Sequence, residues 1–383
     1  MSVTAAKGFT AAGVAAGIKE SGGPDLALVV NTGPRLAAAG VFTGNRVKAA
    51  PVLWSEQVLQ GGQVSAVLLN SGGANACTGP AGFQDTHATA ERVAEVLGHS
   101  AGEVAIASTG LIGTRLPMDK LLPGVEDAAK ALSPHGGEKA ALAIKTTDTV
   151  HKTAVAEGEG WTVGGMAKGA GMLAPGLATM LVVLTTDADL PPEVLDRALR
   201  TATRTTFDRV DSDGCMSTND TVLLLASGAA GRVPEERAFA EAVRQVCDDL
   251  AQQLVRDAEG ASKDIRVDVV GAASEEDAVT VGRSIARNNL LKCAIHGEDP
   301  NWGRVLAAIG TTDAVFAPDQ LNVAINGVQV CRNGAIGEDR ALVDMRYREV
   351  RLVADLAAGE SAATIWTNDL TADYVHENSA YSS

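Results

Sequence analysis

Short apolar runs of strand length alternate with amphipathic helical segments along this 383-residue chain. The runs that we predict as strands lie at 26–30, 67–69, 104–107, 180–184, 222–225 and 267–270. The segments that we predict as helices, with apolar positions three and four residues apart, lie at 84–97, 118–132, 192–203 and 235–256. Because such elements bury their apolar faces against one another in layers, the alternation predicts a mixed α/β fold.

Turn chemistry supports this interpretation. The chain has 41 glycines and only 3% aromatic residues, so we expect many tight turns and a core of Ala, Val and Leu. One hairpin is well defined, because the apolar segments 321–325 and 328–330 flank Asn326-Gly327, the pair favoured in two-residue turns.

Charge and composition exclude several classes of function. The 47 acidic and 32 basic residues give a net charge of −15, which argues against nucleic acid and anionic membranes as partners. We expect no transmembrane helix, since no apolar run approaches roughly 18 residues, and we expect a cytoplasmic protein because the N-terminal segment does not resemble a signal peptide. The five cysteines are widely spaced without a Cys-x-x-Cys pair, which favours reduced thiols and no metal site.

The segment 168–181, KGAGMLAPGLATML, carries the most chemical information. Gly169-x-Gly171-x-x-Ala174 matches a dinucleotide-binding fingerprint, but that fingerprint must open a helix and Pro175-Gly176 would break one. A P-loop is also excluded, because Lys168 lacks the required glycine spacing before it and Ser or Thr after it. A glycine-rich loop leading into a strand that starts near Thr179 is the remaining interpretation.

Thr179 could act as a nucleophile if the Ala178–Thr179 peptide bond were cut. The freed α-amino group, with a pKa of roughly 7.7 to 8.0, would then serve as general base for the hydroxyl of the same residue. On the residues alone, a threonine selected for β propensity at a strand start is the better explanation for most such positions.

The same segment resembles the autoprocessing motif of the ornithine acetyltransferase family, also called glutamate N-acetyltransferase, of arginine biosynthesis. The similarity spans nearly the whole chain in the family's order. It continues through VFTGNRVKAAPV (41–52), LLNSGGANACTG (68–79), ASTGLIG (107–113), TTDT (146–149), FDRVDSDGCMSTNDT (207–221), DAEGASK (257–263), HGEDPNWGR (296–304) and HENSAYSS (376–383).

The resemblance implies a role for individual residues. Thr179 would be the nucleophile, freed by self-cleavage after Ala178, and Thr109 with Gly110 would form the oxyanion hole. The Lys168 charge would contact substrate and keep the Thr179 amine a base. The implied substrate contacts are Thr146, Lys168, Thr179, Glu259, Asn378 and Ser383. Thr147 lies too close to Thr146 for reasoning from the sequence to separate the two.

The resemblance also implies the fold, the reaction and the assembly. It implies a layered α-β-β-α sandwich of the N-terminal-nucleophile kind, cleaved into an alpha chain (1–178) and a beta chain (179–383), with two of each in a heterotetramer. The reaction would transfer acetyl from N-acetylornithine to glutamate in ping-pong fashion through acetyl-Thr179. No cofactor is implied, although acetyl-CoA could be a second acetyl donor.

Three rival classes of function remain open on the sequence. An N-terminal-nucleophile amidohydrolase or aminopeptidase would share the self-cleavage and release its product to water. A non-catalytic binding protein would stay one chain, and a dinucleotide-dependent oxidoreductase would carry cofactor absorbance.

Overall fold

The structure, a computed structural model, describes residues 2–174 and 180–380. The chain divides into two compact units. The first comprises the residues up to Asp208 together with Cys215–Asp257, and the second comprises Arg209–Gly214 and the residues from Ala258 onward. The two units are defined by the contacts between residues. The predicted alpha chain (1–178) and beta chain (179–383) would instead be separated by cleavage of the backbone, which stays a prediction.

The first unit contains nine strands and six helices among its described residues. Its strands are β1 (Phe9–Val14), β2 (Leu26–Asn31), β3 (Ala37–Phe42), β4 (Ala66–Ser71), β5 (Val104–Thr109), β6 (Lys152–Gly158), β7 (Trp161–Lys168), β8 (Leu181–Thr186) and β9 (Thr221–Ala226). Its helices are α1 (Ala50–Leu59), α2 (Gly79–Leu97), α3 (Met118–Lys130), α4 (Gly137–Ala143), α5 (Pro192–Thr205) and α6 (Glu236–Arg256).

These strands form two mixed sheets. One has the order β1-β2-β4-β5, in which only the β4–β5 pair is parallel. The other has the order β3-β9-β8-β7-β6, in which only the β8–β9 pair is parallel. Parallel neighbours end at the same sheet edge, so the turns after β4 and β5 lie side by side.

Alternating side chains explain how the layers assemble. In β2, Ala27 and Val29 face a core shared with Leu181 and Val183 of the other sheet, whereas Leu28 faces the opposite way. The outer cluster around Leu28 includes residues of α2 and α3. On the second sheet, α5 and α6 pack against the strands. The first unit is therefore an α-β-β-α sandwich, and the predicted layered fold is confirmed.

The second unit is built on one six-stranded sheet. Its strands are β10 (Asp264–Ala272), β11 (Asn322–Ile325), β12 (Val328–Arg332), β13 (Ala335–Ile336), β14 (Glu349–Asp355) and β15 (Ser361–Asn368), in the order β13-β12-β11-β14-β10-β15. Its helices are α7 (Glu275–Ala286), α8 (Asn289–His296), α9 (Trp302–Ile309) and α10 (Ala372–Ala380). The predicted hairpin is confirmed, because Asn326 and Gly327 join β11 to β12 with φ of 47° and 88°.

Every strand and helix predicted from the sequence is present, with ends that differ by a few residues. The largest shift is at α2, which begins at Gly79 rather than 84, because Pro80 is tolerated in a first helical turn. Within the described ranges, no helix combines the length and the hydropathy needed to cross a bilayer.

Candidate active site

The turn after β5 holds the two residues predicted as the oxyanion hole. Thr109, the last residue of this wholly buried strand, accepts a hydrogen bond on its carbonyl oxygen from the Gly73 N–H, at 3.0 Å. The Asn219 side-chain amide donates to the carbonyl oxygens of Ser108 and Ala74, at 2.8 and 2.6 Å. These bonds tie the end of β5 to the loop after β4, one through the backbone of Gly73 and the others through the side chain of Asn219.

Gly110 is a position that accepts only glycine. Its φ is +133°, and a Cβ built there would lie 2.5 Å from the Gly73 nitrogen and 2.6 Å from the Gly72 carbonyl carbon. Any side chain would clash with backbone that cannot move aside, and the φ itself is one that side-chain-bearing residues rarely adopt. The close approach therefore fixes the direction of the chain immediately after Thr109.

Lys168, the last residue of β7, reaches the same turn. Its side chain is almost fully buried, and its ammonium donates to Thr109 Oγ1 at 3.2 Å. A hydroxyl that accepts from an ammonium keeps its own hydrogen for another acceptor, and the positive charge strengthens that donor. The structure thus brings three predicted residues together in an arrangement suited to a developing oxyanion.

A buried ion-pair network supports Lys168 from the side. Asp148 accepts hydrogen bonds from the Gly169 N–H and the Lys152 ammonium at 2.7 Å each, and from the Thr146 N–H at 3.0 Å. Lys152 has no exposed side-chain surface and also lies 2.5 Å from the Asp257 carboxylate. Reasoning from the sequence missed this network, although a lysine at a core-facing position of β6 marks a residue that needs a buried partner.

Asp148 is a strong acid in this environment. Burial alone would raise the pKa of its carboxyl, but the charges of Lys168 and Lys152 and the Gly169 hydrogen bond outweigh burial and lower the pKa to about 2. The charged form is therefore stabilised by the fold, and the network keeps its charges at neutral pH.

The free energy of unfolding at acid pH should depend on the Asp148 carboxylate. In the unfolded chain the pKa of an Asp is about 3.9, so between about pH 4 and pH 2 the unfolded chain binds more protons than the folded chain. The contribution of Asp148 to the free energy of unfolding is therefore complete above about pH 4 and disappears as the pH falls towards 2. We expect the wild type to lose about 2 kcal/mol more stability than Asp148→Asn between pH 5 and pH 2 in urea titrations. Asp127→Asn, at an exposed position of α3, is the matched control, and equal slopes for wild type and Asp148→Asn would contradict the assignment.

Thr146 lies in a loop that borders a cavity of about 570 Å³ in the first unit. The hydrogen bond from its N–H to Asp148 fixes the loop backbone. Gly72 and Gly73 line the same cavity, so the cavity and the Thr109–Gly110 turn share the glycine loop after β4. Contact of Thr146, rather than Thr147, with the substrate stays a prediction.

In the second unit, Glu259 and Asn378 are brought together. The Asn378 amide donates to Glu259 Oε2 at 3.0 Å and to the Tyr374 carbonyl at 3.0 Å. Gly260, with φ +61°, allows α10 to approach, because a Cβ there would lie 2.2 Å from the Tyr374 nitrogen. Glu259 and Tyr374 both line a cavity of about 350 Å³ whose wall also includes Lys292.

Three predicted residues, Ala178, Thr179 and Ser383, lie outside the described residues. The nearest described position is Met180, whose N–H donates to Asp220 Oδ1 at 3.1 Å. Asp220 has no exposed surface, its second carboxyl oxygen has no hydrogen-bond partner among the described residues, and burial raises its pKa well above the ordinary value. A buried carboxyl group with a raised pKa therefore holds the start of β8, and reasoning from the sequence missed it.

Comparisons with known proteins identify the family of the chain. A sequence model of the ArgJ family matches residues 10–383. The protein named "Arginine biosynthesis bifunctional protein ArgJ" is 82% identical over 383 residues in Streptomyces coelicolor, covering 100% of both chains, and 65% identical over 382 residues in Thermobifida fusca, again covering 100% of both. A solved ornithine acetyltransferase from Mycobacterium tuberculosis, complexed with ornithine, is 62% identical and covers 47% of this chain and 96% of that chain, with a TM-score of 0.45.

An α-β-β-α sandwich with a hydroxyl, a tight glycine turn and an ammonium converging at buried strand ends has the parts of an acyl-transferring enzyme. The chain is an acyltransferase. It belongs to the ArgJ family, the ornithine acetyltransferase family of arginine biosynthesis that the sequence motifs indicated.

Proposed function

We propose that this acyltransferase moves an acetyl group from N-acetylornithine to glutamate through an acetyl ester on Thr179, and that acetyl-CoA serves as a second acetyl donor. The observation that carries the proposal is the Lys168–Thr109–Gly110 arrangement, in which a polarised hydroxyl lies beside a backbone turn that only glycine can form. The names of the relatives, which call them bifunctional proteins of arginine biosynthesis, support the same reaction.

The proposal begins with cleavage of the Ala178–Thr179 bond. Adding water to this bond yields the carboxylate of Ala178 and the free amine of Thr179, so the atoms balance without a cofactor. The amine then lies on the same residue as the hydroxyl that it must deprotonate. Two such cleaved pairs are proposed to form a heterotetramer of two alpha and two beta chains in the cytoplasm.

Transfer then takes two steps. Thr179 Oγ attacks the acetyl carbonyl of N-acetylornithine while its proton passes to the amine. Negative charge develops on the carbonyl oxygen, which the Thr109 hydroxyl and the Gly110 N–H would stabilise. The C–N bond breaks, ornithine leaves with the proton, and the glutamate amine then attacks the ester to give N-acetylglutamate and regenerate Thr179.

The other predicted substrate contacts have side chains whose chemistry suits the substrates. Glu259, whose carboxylate is oriented by the Asn378 amide, is suited to the ammonium group of an amino-acid substrate. Thr146 and Lys168, fixed by the Asp148 network, are suited to a carboxylate or carbonyl of the substrate. Ser383 is proposed as a further contact on the family resemblance alone.

The purified protein should convert N-acetylornithine and glutamate into ornithine and N-acetylglutamate in equal amounts. Thr109→Val, which keeps the volume of the buried side chain but removes the hydroxyl, should lower kcat by about 10²- to 10³-fold. Thr109→Ser should restore most of that loss, and Thr201→Val, at an exposed position of α5, is the control. Acetate in place of N-acetylglutamate would favour the rival amidohydrolase, and full activity of Thr109→Val would remove the oxyanion hole from the proposal.

A further inference from the structure

Two consecutive buried residues, Asn219 and Asp220, come directly before β9 and contact both parts of the candidate active site. The Asn219 side-chain amide donates to the Ser108 carbonyl oxygen at the end of β5. The Asp220 carboxyl accepts from the Met180 N–H at the start of β8. This short segment therefore connects the turn predicted as the oxyanion hole with the residue that follows Thr179.

The backbone of Met180 is held at both its N–H and its carbonyl group. Its N–H donates to Asp220 Oδ1 at 3.1 Å, and its carbonyl oxygen accepts from the Thr221 N–H at 3.1 Å. Asp220 is fixed in turn, because its own carbonyl oxygen accepts from the Thr43 N–H at 3.0 Å. Met180 and Asp220 have no exposed surface. The carboxyl thus satisfies a buried backbone donor at the point where β8 begins.

Covalent geometry links this contact to Thr179. Three bonds join the Thr179 nitrogen to the Met180 nitrogen, so the two atoms are at most about 3.7 Å apart in any conformation. The Asp220 oxygen that accepts from Met180 therefore lies within about 7 Å of the α-amine that cleavage would create. A buried carboxylate is screened little by solvent, so it acts strongly on a charge at that separation.

The surroundings of Asp220 supply too little positive charge to offset its burial. Burial raises the pKa of its carboxyl well above the ordinary value, and the Asp208 charge acts in the same direction. The Met180 N–H, the Ser217 hydroxyl and the Lys168 charge lower the pKa without cancelling the effect of burial. The second carboxyl oxygen, Oδ2, has no hydrogen-bond partner among the described residues. A buried carboxylate of this kind is stabilised when a cation forms beside it.

We propose that Asp220 is a positioning residue for Thr179, which fixes the peptide after the nucleophile and pairs with the ammonium group formed when the Thr179 amine takes up the hydroxyl proton. The inference rests on the proposed function and adds to it the group that stabilises the protonated base. As the bond from Thr179 Oγ to the acetyl carbon forms, the hydroxyl proton passes to the amine. As the C–N bond to ornithine breaks, that proton passes to ornithine. The Asp220 carboxylate neither gains nor loses a proton and acts through its charge.

The pH dependence of turnover tests the inference. Asp220→Asn keeps the shape of the side chain and an oxygen that can accept from the Met180 N–H, but it removes the charge. A nearby carboxylate favours the ammonium form and so raises the pKa of the amine, which means that removing the carboxylate should lower that pKa. The rise of kcat/KM with pH should therefore move about one pH unit lower, and kcat on the plateau should fall about tenfold. The KM for N-acetylornithine should stay at the wild-type value, since Asp220 contacts no substrate in the proposal.

Asp187→Asn is the matched control. Asp187 follows the opposite end of β8, is also buried, and accepts hydrogen bonds from the Lys7 and Thr162 N–H groups at 3.1 and 2.7 Å. The length of β8, roughly 20 Å of extended chain, separates it from Met180. Its replacement should leave the pH profile at the wild-type position, whereas a merely structural role of buried carboxyls at the ends of β8 would change both variants alike.

A spectroscopic measurement removes the dependence on turnover. In protein labelled with [¹⁵N]threonine, the ¹⁵N resonance of the new N-terminal amine should titrate about one pH unit lower in Asp220→Asn than in wild type and Asp187→Asn. Equal midpoints would overturn the inference. An Asp220→Asn chain that stays uncut would overturn it as well, because the carboxyl would then act in the cleavage and not on the amine that cleavage creates.

The wild type separates failure of this inference from failure of the proposed function. Acetyl transfer from N-acetylornithine with the same pH profile in wild type and Asp220→Asn overturns the role of Asp220 and leaves the reaction standing. A wild type that transfers no acetyl group overturns the proposed function itself.

Discussion

Replacing Thr179 with alanine is expected to give a single uncut chain that transfers no acetyl group. The change removes the hydroxyl that attacks the Ala178 carbonyl in self-cleavage and later attacks the acetyl carbonyl of the donor. No other residue in the proposed mechanism has a hydroxyl that is activated by its own amine, so the loss should be complete rather than partial. A denaturing gel measures the loss of self-cleavage. An assay of ornithine and N-acetylglutamate measures the loss of acetyl transfer.

Thr179→Ser is the matched control for this prediction. Serine keeps the hydroxyl and loses only a methyl group, so the chain should still be cut and should retain part of its activity. Two fragments from Thr179→Ala would show that cleavage does not need this hydroxyl. An uncut but active Thr179→Ala chain would place the nucleophile elsewhere.

Replacing Lys152 with methionine should be the most destabilising of the substitutions considered. Lys152 is fully buried and neutralises both Asp148 and Asp257. Removing the ammonium leaves two buried carboxylates without their shared cation, a change that typically costs about 3 to 5 kcal/mol. The expected result is a lower free energy of unfolding in urea and, because Asp148 also holds the backbone of Gly169 and Thr146, a lower kcat.

This measurement is cleanest in the uncut Thr179→Ala background, where folding does not depend on the association of two chains. Lys130→Met in the same background is the control, since its exposed ion pair with Asp127 should be worth less than about 1 kcal/mol. A second variant, Lys152→Met with Asp257→Asn, should recover part of the loss because one unpaired charge is removed. A loss below about 1 kcal/mol for Lys152→Met would show that the network contributes little to stability.

Much of the fold could be predicted because local pattern and packing agree. The runs that became β2, β4, β5, β8 and β9 are apolar along their whole length, as expected for strands covered on both faces. Strands such as β1 and β3 escaped prediction because their sequences, FTAAGV and AAAGVF, are rich in small residues with weak β propensity. Tertiary pairing, not propensity, makes them strands.

Only some residues of the candidate site could be predicted from the sequence, and the reason is physical. Thr109, Gly110 and Lys168 were predicted through the family resemblance, because a Thr-Gly turn after a strand and a lysine in a loop are common and indicate no chemistry by themselves. The Asp148–Lys152–Asp257 network could not be predicted, because its members are separated by up to 109 positions and meet only when β6 packs beside the end of α6.

In the proposed mechanism, Thr179, as a new N-terminus, carries the acetyl group between donor and acceptor. The most direct test incubates the purified wild type with N-acetylornithine in the absence of glutamate and weighs its chains by mass spectrometry. We expect a chain that begins at Thr179 and carries one added acetyl group, which disappears when glutamate is supplied. An active protein that remains one unbroken chain, or an acetyl group attached to another residue, would contradict the claim.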